Sequence, residues 1–216
     1  MAFRICRAAS AVFILCSLLI CSAEPAAADA VASAKLEVGF WGGVSAGPTP
    51  TVIGKGEDVR FDLLAVRLTL PILRNPSGAL IYTVDVVPFA RLSYRSPAWV
   101  AEPGVQRSAH GAGIAPAGIG YRFHTAKNIQ PCIGFEGGFL YLNHDVPRET
   151  FNNEVLEGKR FNFTGALNAG LRVHLSDRVA IEGGWKYYHL SNGYRGNWNP
   201  GFDSNLWHLG LSWSVR

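Results

Sequence analysis

The feature that most constrains this chain is a repeated alternation of apolar and polar residues in runs of about ten residues or more. Alternation with a period of two puts apolar side chains on one face of a β-strand and polar side chains on the other. No run has the 3.6-residue period of an amphipathic helix. The eight runs cover residues 36–46, 59–72, 80–94, 110–124, 130–142, 160–175, 178–189 and 206–215. The sequence therefore predicts an all-β fold of eight antiparallel strands.

The connections between these runs alternate between short and long. The short connections are 73–79, 125–129 and 176–177, and the long ones are 47–58, 95–109, 143–159 and 190–205. In barrels of the bacterial outer membrane, short turns face the periplasm and long loops face the outside. The pattern predicts a closed transmembrane β-barrel with its N-terminus in the periplasm and its seventh strand running outward.

Charged residues of both signs lie in the middle of the runs, which supports this interpretation. The interior of an eight-stranded barrel is just wide enough to be filled by side chains that pair with one another. We expect Leu92 on the lipid face of the third run and Arg91 on its lumen face. A soluble, lipocalin-like barrel with an apolar interior would alternate in the same way and stays open here. The expected lumen charges are Glu37, Arg67, Asp85, Arg91, Arg122, Glu136, Arg172, Glu182 and Lys186.

The N-terminus has the three parts of a secretory signal peptide. Arg4 and Arg7 precede an apolar segment at 11–20, and small residues at 26–30 fit a cleavage site. We expect residues 1–28 to be removed and residues 29–216 to form a single barrel domain; an uncleaved membrane anchor is the alternative. Only one of the four cysteines, Cys132, then remains, so no intramolecular disulfide is expected. The net charge of +4 is scattered without a basic run, which argues against nucleic acid as a partner.

A candidate nucleophile lies where the seventh run enters a connection rich in glycine, asparagine and proline. His189 and Ser191 are two residues apart, so a continuing strand places both on one face with Cα atoms roughly 6.6 Å apart. Asp203 would return beside His189 on the next strand. A hydroxyl, an imidazole and a carboxylate are the components of an activated serine. His189 shares its face with Trp185, so the group would point toward lipid at the outer leaflet; the alternative is that His189 only marks the membrane interface.

The residues around this group resemble one known family, the lipid A 3-O-deacylases, which are eight-stranded outer-membrane esterases. The resemblance is carried by the motif His189-Leu190-Ser191-Asn192-Gly193, by Asn199-Pro200-Gly201 and by the acidic residue at position 203. Strand number and loop pattern agree with this family over the whole mature chain, whereas the motif covers only its last thirty or so residues. The resemblance implies the same barrel and the same lipid substrate.

The resemblance also implies roles for individual residues. Ser191 would be the nucleophile, His189 the general base, and Asp203 the acid in the position where the family usually has a glutamate. An aspartate is one methylene shorter than a glutamate, so its carboxylate has a shorter reach toward His189. Asn199 would stabilise the oxyanion, assisted by a backbone N–H near Gly193 or Tyr194, with Asn192 in the same substrate-positioning group.

The implied activity is removal of the 3-position ester-linked acyl chain from lipid A of lipopolysaccharide in the outer leaflet of the outer membrane. No metal and no cofactor are expected. Whether the barrel forms a homodimer is left open. A non-enzymatic outer-membrane barrel that acts through its loops is the main alternative. An acyltransferase is a further one, although it would need a lumenal acyl pocket in an interior filled by charges.

Overall fold

Eight antiparallel strands form a closed barrel in the computed structural model, which describes residues 35–47, 52–124 and 128–215. The signal peptide predicted for residues 1–28 lies outside this range. The described residues contain no helix of sufficient length and apolarity to span a bilayer. The strands are β1 (Glu37–Ser45), β2 (Glu57–Asn75), β3 (Gly78–Arg95), β4 (Gln106–Phe123), β5 (Ile129–Phe151), β6 (Glu154–His174), β7 (Val179–Ser191) and β8 (Phe202–Ser214). Pairing of β8 with β1 closes the ring and confirms the predicted architecture.

The outside of the barrel is apolar and the inside carries the charges. Large hydrophobic side chains are exposed on the outward faces of the strands, among them Phe40, Leu64, Ile119, Phe135, Leu171 and Leu209. A soluble barrel would bury these side chains in its interior, because exposed apolar surface of this extent is unfavourable in water. This arrangement is that of small outer-membrane barrels, in which lipid solvates the outer face.

The periplasmic half of the lumen is filled by an ion-pair network. Arg67 donates to Asp85 at 2.7 Å and to Glu136 at 2.5 Å. Lys186 is 1% exposed and donates to the second oxygen of Glu136 at 2.6 Å. The network continues toward the periplasm at Glu37. Its carboxylate lies 2.9 Å from the guanidinium group of Arg122 and 3.1 Å from that of Arg172. These pairs compensate for charge that would otherwise be buried without a partner.

The outer half of the lumen is apolar, which the sequence did not lead us to expect. We call this cluster the outer plug; it contains Phe61, Leu63, Leu92, Tyr94, Leu140, Leu142, Tyr188, Leu190, Phe202 and Leu206. The predicted orientations of Leu92 and Arg91 are wrong, because Leu92 is fully buried in the plug and Arg91 is exposed. The β3–β4 pairing shifts register between Val87 and Ala90. A bulge of this kind reverses which face each following residue occupies.

The connection predicted at residues 143–159 is instead a continuation of two strands. β5 extends to Phe151 and β6 begins at Glu154, so only Asn152 and Asn153 form the turn. Both have positive φ, 50° and 66°, as the two-residue hairpin turns of twisted strands require. Beyond the bilayer neither face of the hairpin contacts lipid, so its sequence lacks the apolar alternation by which strands were recognised. The hairpin projects on the outer side of the barrel.

Candidate active site

His189 and Asp203 are direct neighbours on adjacent strands. The register of β7 and β8 pairs the two residues, and His189 Nδ1 lies 2.6 Å from Asp203 Oδ1. Antiparallel pairing puts opposite residues on the same face of the sheet. The aspartate therefore reaches the imidazole despite its short side chain, and this contact leaves Nε2 as the ring nitrogen directed to other chemistry.

The group faces outward from the barrel wall. Tyr188 and Leu190, which alternate with His189 and Ser191, point inward and are 7% and 0% exposed in the outer plug. Ser204, which follows Asp203, also points inward, where its hydroxyl lies 2.7 Å from that of Ser45. The three residues predicted to be catalytic thus lie on the lipid side of a wall whose inner side is tightly packed.

Two N–H donors converge on the hydroxyl oxygen of Ser191. Asn199 Nδ2 donates to Ser191 Oγ at 2.9 Å, and the backbone N–H of Gly193 donates at 3.1 Å. Among the described residues, the hydrogen bonds of this hydroxyl run to Asn199 and Gly193 and none runs to His189. In this arrangement both donors bind the nucleophile oxygen itself, and they become free to bind a tetrahedral oxyanion only when the serine side chain turns away from them. A serine–histidine bond that is absent before substrate binds is common in unliganded hydrolases.

The other two predicted positioning residues make different contacts. Asn192 is 1% exposed, and its side chain donates to the carbonyl oxygen of Trp198 at 2.8 Å. Its backbone N–H donates to Asn199 Oδ1 at 3.2 Å, so Asn192 orients Asn199 without touching the serine. Tyr194 is 84% exposed, and it is the N–H of Gly193 rather than that of Tyr194 that reaches Ser191.

The carboxylate of Asp203 is held by a segment that sequence reasoning missed. The backbone N–H groups of Val52, Ile53 and Gly54 donate to Asp203 Oδ2 at 2.7, 2.8 and 2.8 Å. We call these three groups the amide cradle. They are 149 to 151 positions away from Asp203 in the sequence. Backbone N–H donors depend on no particular residue type, so no sequence motif could identify these three residues.

The connection after β7 is anchored to the projecting β5–β6 hairpin. Asn197 accepts a hydrogen bond from the N–H of Glu157 at 2.6 Å and donates to the carbonyl oxygen of Val155 at 2.9 Å. The N–H of Trp198 donates to the carbonyl oxygen of Glu157 at 3.2 Å. The side chain of Asn197 thus binds the edge of the hairpin with one donor and one acceptor, as the backbone of a neighbouring strand would. Asn199 lies two residues further along the same connection.

The profile of the family described as "Lipid A 3-O-deacylase (PagL)" matches residues 86–212, more than half of the chain. The chain belongs to the PagL family. The match includes His189, Ser191, Asn199 and Asp203. It begins at residue 86, so it does not include the amide cradle at residues 52–54. With its barrel fold, this PagL-family protein is a protein of the bacterial outer membrane.

Several solved structures are similar to the chain at low sequence identity. The outer-membrane enzyme PagL is 17% identical, with 82% of this chain and 99% of that chain covered and a TM-score of 0.48. Neisserial surface protein A (NspA) is 11% identical, with coverage of 84% and 97% and a TM-score of 0.46. The N-terminal β-barrel domain of Pseudomonas aeruginosa OprF is 9% identical, with coverage of 85% and 100% and a TM-score of 0.43. A comparison with curated protein sequences gave no significant match.

Proposed function

We propose that this PagL-family barrel is a serine esterase that removes the 3-position ester-linked acyl chain from lipid A. The observation that carries the proposal is the His189–Asp203 contact of 2.6 Å on the outer wall, two residues from Ser191. Lipid A occupies the outer leaflet, which is the phase that this face of the barrel meets. Family membership suggests the same activity.

In the proposed first step, Ser191 Oγ attacks the ester carbonyl carbon and its proton passes to His189 Nε2. A rotation of the serine side chain away from Asn199 brings the hydroxyl toward the imidazole. Asp203 Oδ1 accepts the hydrogen bond from Nδ1–H and stabilises the imidazolium that forms. The tetrahedral oxyanion accepts hydrogen bonds from Asn199 Nδ2 and the Gly193 N–H, each donor contributing about 2.7–4 kcal/mol to transition-state stabilisation.

The intermediate then collapses, and the bond between the acyl carbon and the 3-position oxygen of the sugar breaks. The departing 3-position alkoxide takes the proton from His189 Nε2 and leaves as a hydroxyl group. A water molecule, deprotonated by the same nitrogen, attacks the acyl carbon of the acyl-enzyme. The bond from that carbon to Ser191 Oγ breaks, the proton passes from Nε2 to Oγ, and a 3-hydroxy fatty acid is released. The chain's own residues supply every proton transfer in this scheme, so it requires no cofactor.

The surface around Ser191 suits an acyl chain. Phe163 of β6 pairs with Ser191 of β7 and is 46% exposed. Leu167, four residues further along the same face of β6, is 52% exposed. Between them lies Gly165, opposite His189, where an added Cβ would meet no atom within 4 Å. A hydrocarbon chain in the outer leaflet would contact these side chains without entering the barrel.

The filled lumen argues against the acyltransferase alternative. The cavity among Trp41, Arg67, Arg172 and Glu182 measures about 30 Å³. That volume accommodates about two water molecules and is far too small for an acyl chain. An acyl chain bound inside the barrel would have to displace the ion-pair network, so transfer to a lumenally bound chain is disfavoured.

The test is mass analysis of lipid A after expression in a Gram-negative host. We expect the loss of one hydroxyacyl mass with the wild-type protein, and no loss with Ser191→Ala or His189→Asn. Ser204→Ala is the matched control, because this hydroxyl lies one residue from Asp203 on the opposite face of the wall. Intact lipid A alongside a folded wild-type barrel in the outer membrane would contradict the proposal and favour a non-enzymatic role through the loops.

A further inference from the structure

Asp203 combines two properties that are unusual for a residue on the outer wall of a membrane barrel. It is on the outward face, opposite His189, yet it is 1% exposed. A carboxylate turned toward lipid is costly unless its charge is compensated and shielded. The segment from Val52 to Gly56 provides both, because it lies over the carboxylate and directs three N–H groups at one of its oxygens.

The two carboxylate oxygens have separate partners. Oδ2 accepts all three bonds of the amide cradle, and Oδ1 faces His189 Nδ1. With Oδ2 held at three points, the carboxylate plane has little freedom to rotate, and Oδ1 stays directed at the imidazole. Hydrogen bonds to an ionised group are the strong ones in proteins. The orientation of the general base is thereby coupled to a connection at the other end of the chain.

The cradle segment is itself attached to the backbone just before Asp203. The N–H of Lys55 donates to the carbonyl oxygen of Pro200 at 2.7 Å, and the N–H of Gly56 donates to that of Gly201 at 3.0 Å. At Gly54, an added Cβ would lie 2.7 Å from the carbonyl carbon of Gly201 and 3.0 Å from Asp203 Oδ1. Backbone atoms cannot yield at such distances, so this close approach requires glycine.

We propose that the backbone of residues 52–54 is a positioning element of the active site, which orients Asp203 and through it His189. The inference rests on the proposed esterase function. It adds a component that comes from the β1–β2 connection, outside the range matched by the family profile. The contacts of residues 52–54 run to Oδ2 of Asp203, so in this role they act through Asp203.

The experiment compares two variants that disturb the cradle in different ways. Ile53→Pro removes one of the three donors, and Gly54→Ala forces the segment away from Gly201 and Asp203. Lys55→Ala is the matched control, because it truncates an exposed side chain and keeps its backbone N–H. We expect kcat to fall roughly tenfold to a hundredfold for the first two variants with little change in KM, and we expect wild-type kinetics for the control.

A double-mutant cycle with Asp203→Ala distinguishes positioning from general loss of structure. Without the carboxylate the cradle has nothing to orient, so Ile53→Pro and Gly54→Ala should then change the rate by less than about twofold. Folding of each variant is checked by the heat-dependent electrophoretic mobility of the barrel in detergent. The same rate loss in both backgrounds would overturn the cradle proposal.

A second readout separates the cradle from the identity of the substrate. An alkyl fluorophosphonate probe reports the reactivity of Ser191 without lipid A, and its rate of labelling should fall in both cradle variants and not in Lys55→Ala. If the wild type labels at Ser191 but leaves lipid A intact, the substrate proposed above is wrong and the cradle stands or falls on the labelling rates. Equal labelling of wild type and cradle variants overturns the cradle, and no labelling of the wild type overturns both proposals.

Discussion

At position 203 the short side chain fits a space that a longer one would overfill. One carboxylate oxygen is 2.6 Å from His189 Nδ1 and the other is 2.7–2.8 Å from three backbone nitrogens. At these distances the carboxylate cannot shift toward His189 or toward the cradle without a clash. The resemblance assigned the acid to Asp203, in a position where the family usually has a glutamate. The cradle is consistent with an aspartate in this role, because it holds the shorter side chain within reach of His189.

The first prediction therefore concerns Asp203→Glu. One more methylene moves the carboxylate by about 1.5 Å, which either pushes the cradle away or misaligns the imidazole. We expect kcat to fall roughly tenfold or more, because misplacement of this size is costly in preorganised sites. Deacylation of lipid A in detergent micelles measures it, with Asp177→Glu in the exposed periplasmic turn as the control. Equal or higher activity of the Asp203→Glu variant would mean that the cradle does not set the position of the carboxylate.

Among the structural elements, the projecting β5–β6 hairpin has the clearest link to the site. Its first strand continues nine residues beyond the run predicted for β5, from 142 to 151, and the backbone of the hairpin is hydrogen-bonded to Asn197. The connection between β7 and β8 carries Asn199, the proposed oxyanion donor, and the N–H groups of Lys55 and Gly56 hold its far end at Pro200 and Gly201. The hairpin gives that connection a further fixed point, two residues from Asn199.

A second prediction tests this support through Asn197→Ala. Loss of the two hydrogen bonds to Val155 and Glu157 should loosen the position of Asn199 and lower kcat roughly tenfold, with little effect on the unfolding of the barrel. Asn152→Gly, at the positive-φ turn of the same hairpin, is the control and should behave as the wild type. Steady-state kinetics and urea unfolding in lipid vesicles provide the two measurements. A stable variant with wild-type kcat would show that Asn199 is held without the hairpin.

At the level of the whole barrel, the lumen has two layers with different physical roles. The ion-pair network of the periplasmic half matches charges of opposite sign, whereas the outer plug stabilises by apolar burial. The plug includes Tyr188, Leu190 and Phe202, the inward-facing neighbours of His189, Ser191 and Asp203. Close packing of these side chains restrains the strands on which His189, Ser191 and Asp203 lie.

A third prediction concerns the stability of the network. Among the described residues Glu136 is the one carboxylate that pairs with Lys186, which is 1% exposed. Glu136→Ala should lower the free energy of unfolding by about 3–5 kcal/mol because it leaves a buried charge uncompensated. The double variant Glu136→Ala/Lys186→Met should recover part of that loss. Urea unfolding followed by tryptophan fluorescence measures both, and a double variant less stable than Glu136→Ala would contradict the explanation.

Much of the architecture follows from local patterns in the chain. Strand number, closure and the apolar outer face were predicted from alternation and connection lengths, because side chains on a strand point to opposite faces whatever the rest of the fold does. The spacing of His189 and Ser191 predicted their common outward face for the same reason, and Asp203 lay where the returning strand pairs with His189.

The errors lie where the local pattern is interrupted or carries no information. The bulge between Val87 and Ala90 reversed the faces predicted for Arg91 and Leu92, since a single extra residue changes the parity of everything after it. The β5–β6 hairpin beyond the membrane lies where the sequence predicts a long connection, because strands surrounded by water on both faces need no apolar alternation.

The amide cradle depended on tertiary structure alone. Its donors are backbone N–H groups, which every residue except proline possesses, so no residue type at positions 52–54 revealed them. They reach Asp203 because β8 pairs with β1, which brings the connection after the first strand to the start of the last. Alternation along the chain is enough to make a barrel wall, but only closure of that wall joins residues 149 to 151 positions apart into one site.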